Sequence, residues 1–379
     1  MLKDGRTKME KKTRPSKGFS FVFLIITAIL ACSFTAFASP EAREDGLLVS
    51  ELNSAGDKGQ YEYLTMILKT GYAHEPKEKP GLNTLTNELI YLLLRNTCAL
   101  EVSYYPFAEY TVFSFVIWQE DFKTFCAELD AIIRLDTLLL YDLCNELIYQ
   151  HYHTAKTAFD LCAEIQYELL YGPEHPYLNP YQADYTKLNI NEVNAWFREI
   201  YKPNNIIIST TAPLPADFLK KPNGRDMQKQ VVVPTVPPNY AAGHAARFSE
   251  VNAPLNTVFI SFPWPRPEEE DFWAGRIIQK YLQHQLWLIL RQELGFCYAI
   301  QVDYSYLSKP AAPNLTIAFQ VLPENTEAAL SAVFRLLEKL ETEALSPEEI
   351  GSLIEQEEKL QKRNYEAPRY LSLMDALAA

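Results

Sequence analysis

The chain has 379 residues, of which 48% are apolar and 22% charged. That is enough for two domains with cores of their own, and it excludes a disordered chain. The formal net charge of −13 argues against nucleic-acid binding, which needs basic surface for phosphates; the acidity serves solubility and at most favours basic peptides.

The N-terminus reads as a secretory leader. Lys3, Arg6, Lys8, Lys11, Lys12, Arg14 and Lys17 form a basic region, residues 18–40 carry no charge, and residues 19–31 are mostly apolar. Three readings stay open. Ala36-Phe37-Ala38 fits a cleavage site. Ile29-Leu30-Ala31-Cys32 resembles a bacterial lipobox that would put a lipid on Cys32, and an uncleaved anchor is the third. Each places the chain in the periplasm or cell envelope, with membrane contact only through the leader or a lipid on Cys32. Residues 1–38 hold seven basic and two acidic groups, so removing them takes −13 to −18. Nothing later approaches the ~20 apolar residues of a second span. Cys98, Cys126, Cys144, Cys162 and Cys297 are odd in number and lack CxxC spacing. They read as buried free thiols, with room for one disulfide in an oxidising compartment.

Beyond the leader, residues 87–95 form an apolar helical run. A strand pair follows at 98–105 and 110–118, and Glu120-Asp121 open an amphipathic helix over 122–133. A helix at 140–153 comes next, and this half closes with a helix at 191–201 and a strand at 205–211. Residues 212–246 are rich in proline and read as a linker. The second half repeats the order: a helix over 272–294, strands at 297–306 and 315–321, then helices at 326–340 and 346–364, the last opened by Ser346-Pro347-Glu348-Glu349. The fold class is therefore α+β, two copies of one mixed unit, at 45–211 and 247–379. The second copy has no counterpart of the closing helix and strand, so it reads as incomplete.

Leu68-Lys69-Thr70-Gly71-Tyr72-Ala73-His74-Glu75-Pro76, Pro80-Gly81-Leu82, Tyr171-Gly172, His175-Pro176-Tyr177 and Tyr201-Lys202-Pro203-Asn204-Asn205 occur in the order of landmarks in one family. On these the chain resembles the insulinase-like (pitrilysin, M16) peptidases, in their bacterial two-domain form. The resemblance implies two LuxS/MPP-like metallohydrolase-type α/β-sandwich domains facing each other, and zinc as the cofactor of active members. In those members the helix after Gly-Leu carries His-x-x-Glu-His. Its histidines bind zinc from one helical face and its glutamate activates water. Here the matching positions hold Thr84, Asn87 and Glu88, and residues 83–95 contain no histidine. The motif is absent, so no catalytic residue, metal ligand or cofactor is assigned.

A later glutamate ligand of the family would fall near Glu146, with His153 seven residues on. A rebuilt metal site from Glu88, Glu146, His151 and His153 is the rival reading, weakened because residues two apart lie on different helical faces. His74, His175, His244 and His284 are scattered. Arg291 and Tyr298 match the family's Arg-x6-Tyr pair, which holds substrate near the zinc; an arginine capping a helix C-terminus is the alternative. The resemblance thus implies a non-catalytic, peptide-binding partner of a zinc-bearing paralogue. A self-sufficient zinc metalloendopeptidase with rebuilt ligands and a non-proteolytic assembly scaffold are the rivals.

Overall fold

The computed structural model describes residues 41–42, 47–52, 60–219, 254–265, 271–304 and 314–365. The leader with Cys32, most of the proline-rich segment and His244 lie outside them.

The main elements of the first half are β1 (Glu41–Ala42), β2 (Leu48–Glu51), β3 (Tyr61–Leu68), α1 (Leu82–Leu94), β4 (Glu101–Pro106), β5 (Thr111–Trp118), α2 (Phe122–Ile133), α3 (Tyr141–His153), α4 (Ala158–Tyr171), α5 (Ile190–Ile200) and β6 (Ile206–Thr210). The strands form one sheet in the order β1-β2-β6-β3-β5-β4, in which only β2 and β6 run parallel. Alternation along the strands sends Leu64, Met66 and Leu68, Phe113 and Phe115, and Ile206 and Ile208 to one face. There they form a single core with Leu85 and Leu89 of α1, Phe125 and Leu129 of α2, and Val193 and Phe197 of α5. The start of the proline-rich segment joins this core, because Phe218 and Leu219 are buried in it.

The second half holds β7 (Asn256–Pro263), α6 (Phe272–Leu286), β8 (Ile300–Tyr304), β9 (Asn314–Val321), α7 (Thr326–Thr342) and α8 (Pro347–Tyr365). Helix α6 runs on as π-helical turns, Trp287–Glu293, and Gly295 ends it at φ +64°. The capping box expected at Ser346 forms: Glu349 N–H donates to Ser346 Oγ, and Ser346 N–H donates to Glu349 Oε2. The sheet is antiparallel in the order β7-β9-β8. That order and sense repeat β3-β5-β4, so the internal repeat reappears as topology, within the α+β class the sequence pointed to. In the first sheet β6 lies beside β3; among the described residues no strand pairs with β7 at the matching edge.

Two contacts position this second sheet. Gln279 Nε2 donates to Val302 O, and Gln283 both donates to Ile300 O and accepts from Val302 N–H, so two side chains of α6 occupy the outer edge of β8. Helix α4, from the first half, lies against β7 and β9. Gln166 donates to Thr316 Oγ1 at 2.7 Å, Asn314 donates to Tyr171 Oη at 3.2 Å, and Phe159 meets Phe259 edge-on. All five described cysteines are free thiols, and burial raises Cys126 to about 12 and Cys98 and Cys297 to about 11. No described helix is long and apolar enough to cross a membrane.

Gly71 is fixed by close approach. A Cβ there would stand 2.2 Å from the carbonyl oxygen of Phe107 and 2.5 Å from that of Ala108. These are the carbonyls that accept from Tyr72 and Ala73 N–H. Gly71→Ala is expected to cost about 1–3 kcal/mol. Gly351→Ala, in open space within α8, should instead add about 0.5–1 kcal/mol. Urea midpoints at unchanged m-value check both.

Candidate functional site

The helix that follows Gly81 is where sequence places the chemistry of the first half. Gly81 adopts φ +93°, with the Tyr185 ring 3.0 Å from where a Cβ would be. The buried Glu75 carboxylate closes the start of α1, accepting from Gly81 N–H at 2.9 Å and from Asn83 N–H at 2.6 Å. Burial pushes this carboxyl up to about 7, against the lowering pull of those backbone donors. A carboxyl raised in the folded state stabilises fully below its unfolded value near 4.3 and loses that contribution as pH rises through about 7.

Asn87 stands at the position that the M16 resemblance of the sequence gives to the general base. It is fully buried, and both of its side-chain polar atoms are hydrogen-bonded: its Nδ2 donates to Asn83 O at 2.9 Å, and Tyr201 Oη donates to its Oδ1 at 2.7 Å. Burial holds the Tyr201 phenol far above its ordinary range, which keeps it a donor. Asn83, also fully buried, accepts from Trp196 Nε1 at 3.2 Å. Helix α5 and the tyrosine that follows it therefore lock α1 through two side-chain hydrogen bonds, and an amide at Asn87 has no proton-accepting role to offer.

Thr84 and Glu88 lie one turn apart on the neighbouring stripe of α1. Thr84 lies near the Tyr185 phenol, and Glu88 meets His151 of α3, Oε2 to Nε2 at 2.6 Å. The His151 ring stacks on Tyr185 with centroids 4.0 Å apart and planes 7° from parallel. The structure thus joins two of the four residues of a rebuilt metal site and separates the others. Glu146 is exposed and accepts from Gln150 at 3.1 Å, while His153 is exposed between the rings of Tyr149 and Tyr152. Their separation follows from the helix, which turns His153 away from the face that carries His151. Among the described residues, no three His, Cys, Asp or Glu side chains are grouped to hold a metal ion.

The other histidines serve locally. His74 is held neutral by burial, at about 4, and its Nδ1 accepts from Gly71 N–H. His175 is buried against Tyr171 and Tyr177, and His284 is exposed on α6. The pairing of Glu88 with His151 was missed by sequence reasoning, since 63 residues separate them and nothing local marks either as a partner.

In the second half, the π-helical end of α6 sets Arg291 beside Tyr298. Arg291 Nη1 donates to the Tyr298 carbonyl at 2.6 Å, and its guanidinium lies 4.5 Å from the Tyr298 ring centroid and 6.0 Å from that of Trp287. The arginine therefore bonds beyond its helix and does not cap it. Tyr298 is 82% exposed, so its phenol and the remaining guanidinium donors can reach a ligand carbonyl or carboxylate.

Residues 187–357 match the family model described as the peptidase M16 inactive domain. That stretch, a little under half of the chain, agrees with the M16 resemblance read from the sequence. Solved structures agree on the fold. A protease from Helicobacter pylori aligns with a TM-score of 0.71 at 13% identity, covering 88% of each chain. A peptidase M16 inactive domain from Pseudomonas fluorescens aligns at 0.68 and 14%, covering 89% of this chain and 87% of the other. The periplasmic protease PqqL from Escherichia coli aligns at 0.63 and 15%, covering 90% of this chain but 41% of its own length. A search of curated proteins finds no significant match. At the positions that the sequence resemblance gives to the M16 zinc motif, this chain carries Thr84, Asn87 and Glu88.

Tyr201→Phe leaves the Asn87 oxygen buried without its donor and should cost about 1–3 kcal/mol. Glu88 and His151 are each about a quarter exposed. A double-mutant cycle of Glu88→Ala and His151→Ala should give a coupling of about 0.5–1 kcal/mol. Denaturant unfolding measures both.

Proposed function

We propose that this chain is a non-catalytic M16 partner subunit of a cell-envelope peptidase, which binds peptide and completes the chamber of a zinc-bearing paralogue. The observation that carries the reading is the contrast between the halves. Around α1 the buried amide of Asn87 and the Glu88–His151 pair occupy the place of the zinc motif. At the end of α6, Arg291 and Tyr298 stand in contact with an exposed phenol. Arg291 and Tyr298 are the substrate-binding residues of this proposal. A cation with several unused donors and an aromatic ring suit the carbonyls and side chains of an extended peptide. The charge pattern of residues 1–40, and the fold shared with the periplasmic protease PqqL, support export. The domains of the proposal are those of the sequence repeat, 45–211 and 247–379, joined by residues 212–246.

The test is co-purification with a paralogue bearing His-x-x-Glu-His, followed by peptide cleavage in the reconstituted pair. Arg291→Ala should raise KM about tenfold or more, the loss of a hydrogen bond to or from a charged group. Unchanged cleavage would overturn the substrate role, and an assembly that needs the chain but ignores Arg291 would favour a scaffold.

A further inference from the structure

Helix α6 presents a second polar stripe that the proposed function does not use. Lys280, His284 and Trp287 follow one another at spacings of four and three, so they share a face of the helix. They line an open cavity of about 520 Å³ between α6, β8 and α8, with Asp303 of β8 on its wall. A volume of this size is within the usual range for small-molecule sites, roughly 300–1,000 Å³.

Two of its lining residues, Arg276 and Lys280, share a buried ion pair with a residue behind them. Glu357 of α8 is 2% exposed and meets Lys280 at 2.8 Å and Arg276 at 3.5 Å. His151 and Glu357 are each the tenth residue after the first of their helices, Tyr141 and Pro347. By the internal repeat, the cavity therefore matches the place where Glu88 meets His151 in the first half. There the pair is flanked by the stacked Tyr185 ring; here space remains.

The groups facing that space carry both signs. An ammonium has three N–H donors, and Lys280 spends one on Glu357. Asp303 has no hydrogen bond or ion pair among the described residues, and partial desolvation raises its carboxyl above the ordinary range. The Trp287 ring supplies an apolar wall beside them.

We propose that this cavity binds the zwitterion of a short peptide, with its carboxylate on Lys280, its ammonium on Asp303 and an apolar side chain against Trp287. The site adjoins the Arg291–Tyr298 pair through Trp287, whose ring lies 6.0 Å from the Arg291 guanidinium, but it does not depend on the reading given to that pair.

Glycyl-phenylalanine titrated into the full chain, followed by calorimetry, is the probe. The free dipeptide should bind at least about tenfold more tightly than its N-acetylated or C-amidated forms, the loss expected for one charge-assisted hydrogen bond. Asp303→Asn, near-isosteric and on an exposed strand residue, should weaken the free dipeptide about tenfold and leave the N-acetylated form unchanged. Lys280→Ala should weaken the free dipeptide and leave the C-amidated form unchanged. No measurable binding at millimolar dipeptide, equal affinity for free and capped forms, or indifference to Asp303→Asn would each overturn the proposal.

Discussion

Asn83 and Asn87 stand one turn apart on the buried face of α1, and neither could remain there without partners. A buried amide left unsatisfied costs on the order of 1–3 kcal/mol, more than most single contacts in a folded domain contribute. Trp196 and Tyr201, both from the closing helix α5 and its C-terminal end, supply the needed donors. That requirement ties the middle of the first half to its end. It also fixes the rotation of α1, which leaves Thr84 and Glu88 facing Tyr185 and His151. By the M16 resemblance of the sequence, a metal in active members would join the same helix to a later one. Here a carboxylate and an imidazole make that connection, and a stacked tyrosine flanks it.

The second half uses the same frame with different chemistry. Strand order repeats, and α6 and α8 meet through Lys280 and Glu357 much as α1 and α3 meet through Glu88 and His151. The glutamines at 279 and 283 cover the edge of β8, so that strand is not left as a bare template for another chain. Helix α4 then connects the two halves through Gln166 and Tyr171. Arg291 and Tyr298 lie at the end of α6, where the π-helical turns and Gly295 redirect the chain. Irregular backbone there sets the arginine beyond the last regular turn and lets it reach the tyrosine carbonyl.

Much of this frame was legible in the residues. The helix at 122–133 and the strand at 315–321 agree with the structure to within one residue, because strong periodicity and acidic helix starts act locally. The missing zinc motif was equally plain, since no histidine occurs in residues 83–95. What was not legible depends on distance along the chain. Tyr201 lies 114 residues from Asn87, and His151 lies 63 from Glu88. The sequence places His153, seven residues after Glu146, at the family spacing, and only the orientation of α3 toward α1 brings His151 to Glu88 instead. The docking of α4 on the second sheet was invisible for the same reason: Gln166 reads as an ordinary polar residue until Thr316 is brought to it.

The central claim is that the first half is held together without metal. Metal analysis of the purified chain, after dialysis against buffer containing added zinc, addresses it most directly. The account predicts zinc well below one ion per chain and no change in zinc content on Glu88→Ala. Stoichiometric zinc that is lost on Glu88→Ala or His151→Ala would contradict it.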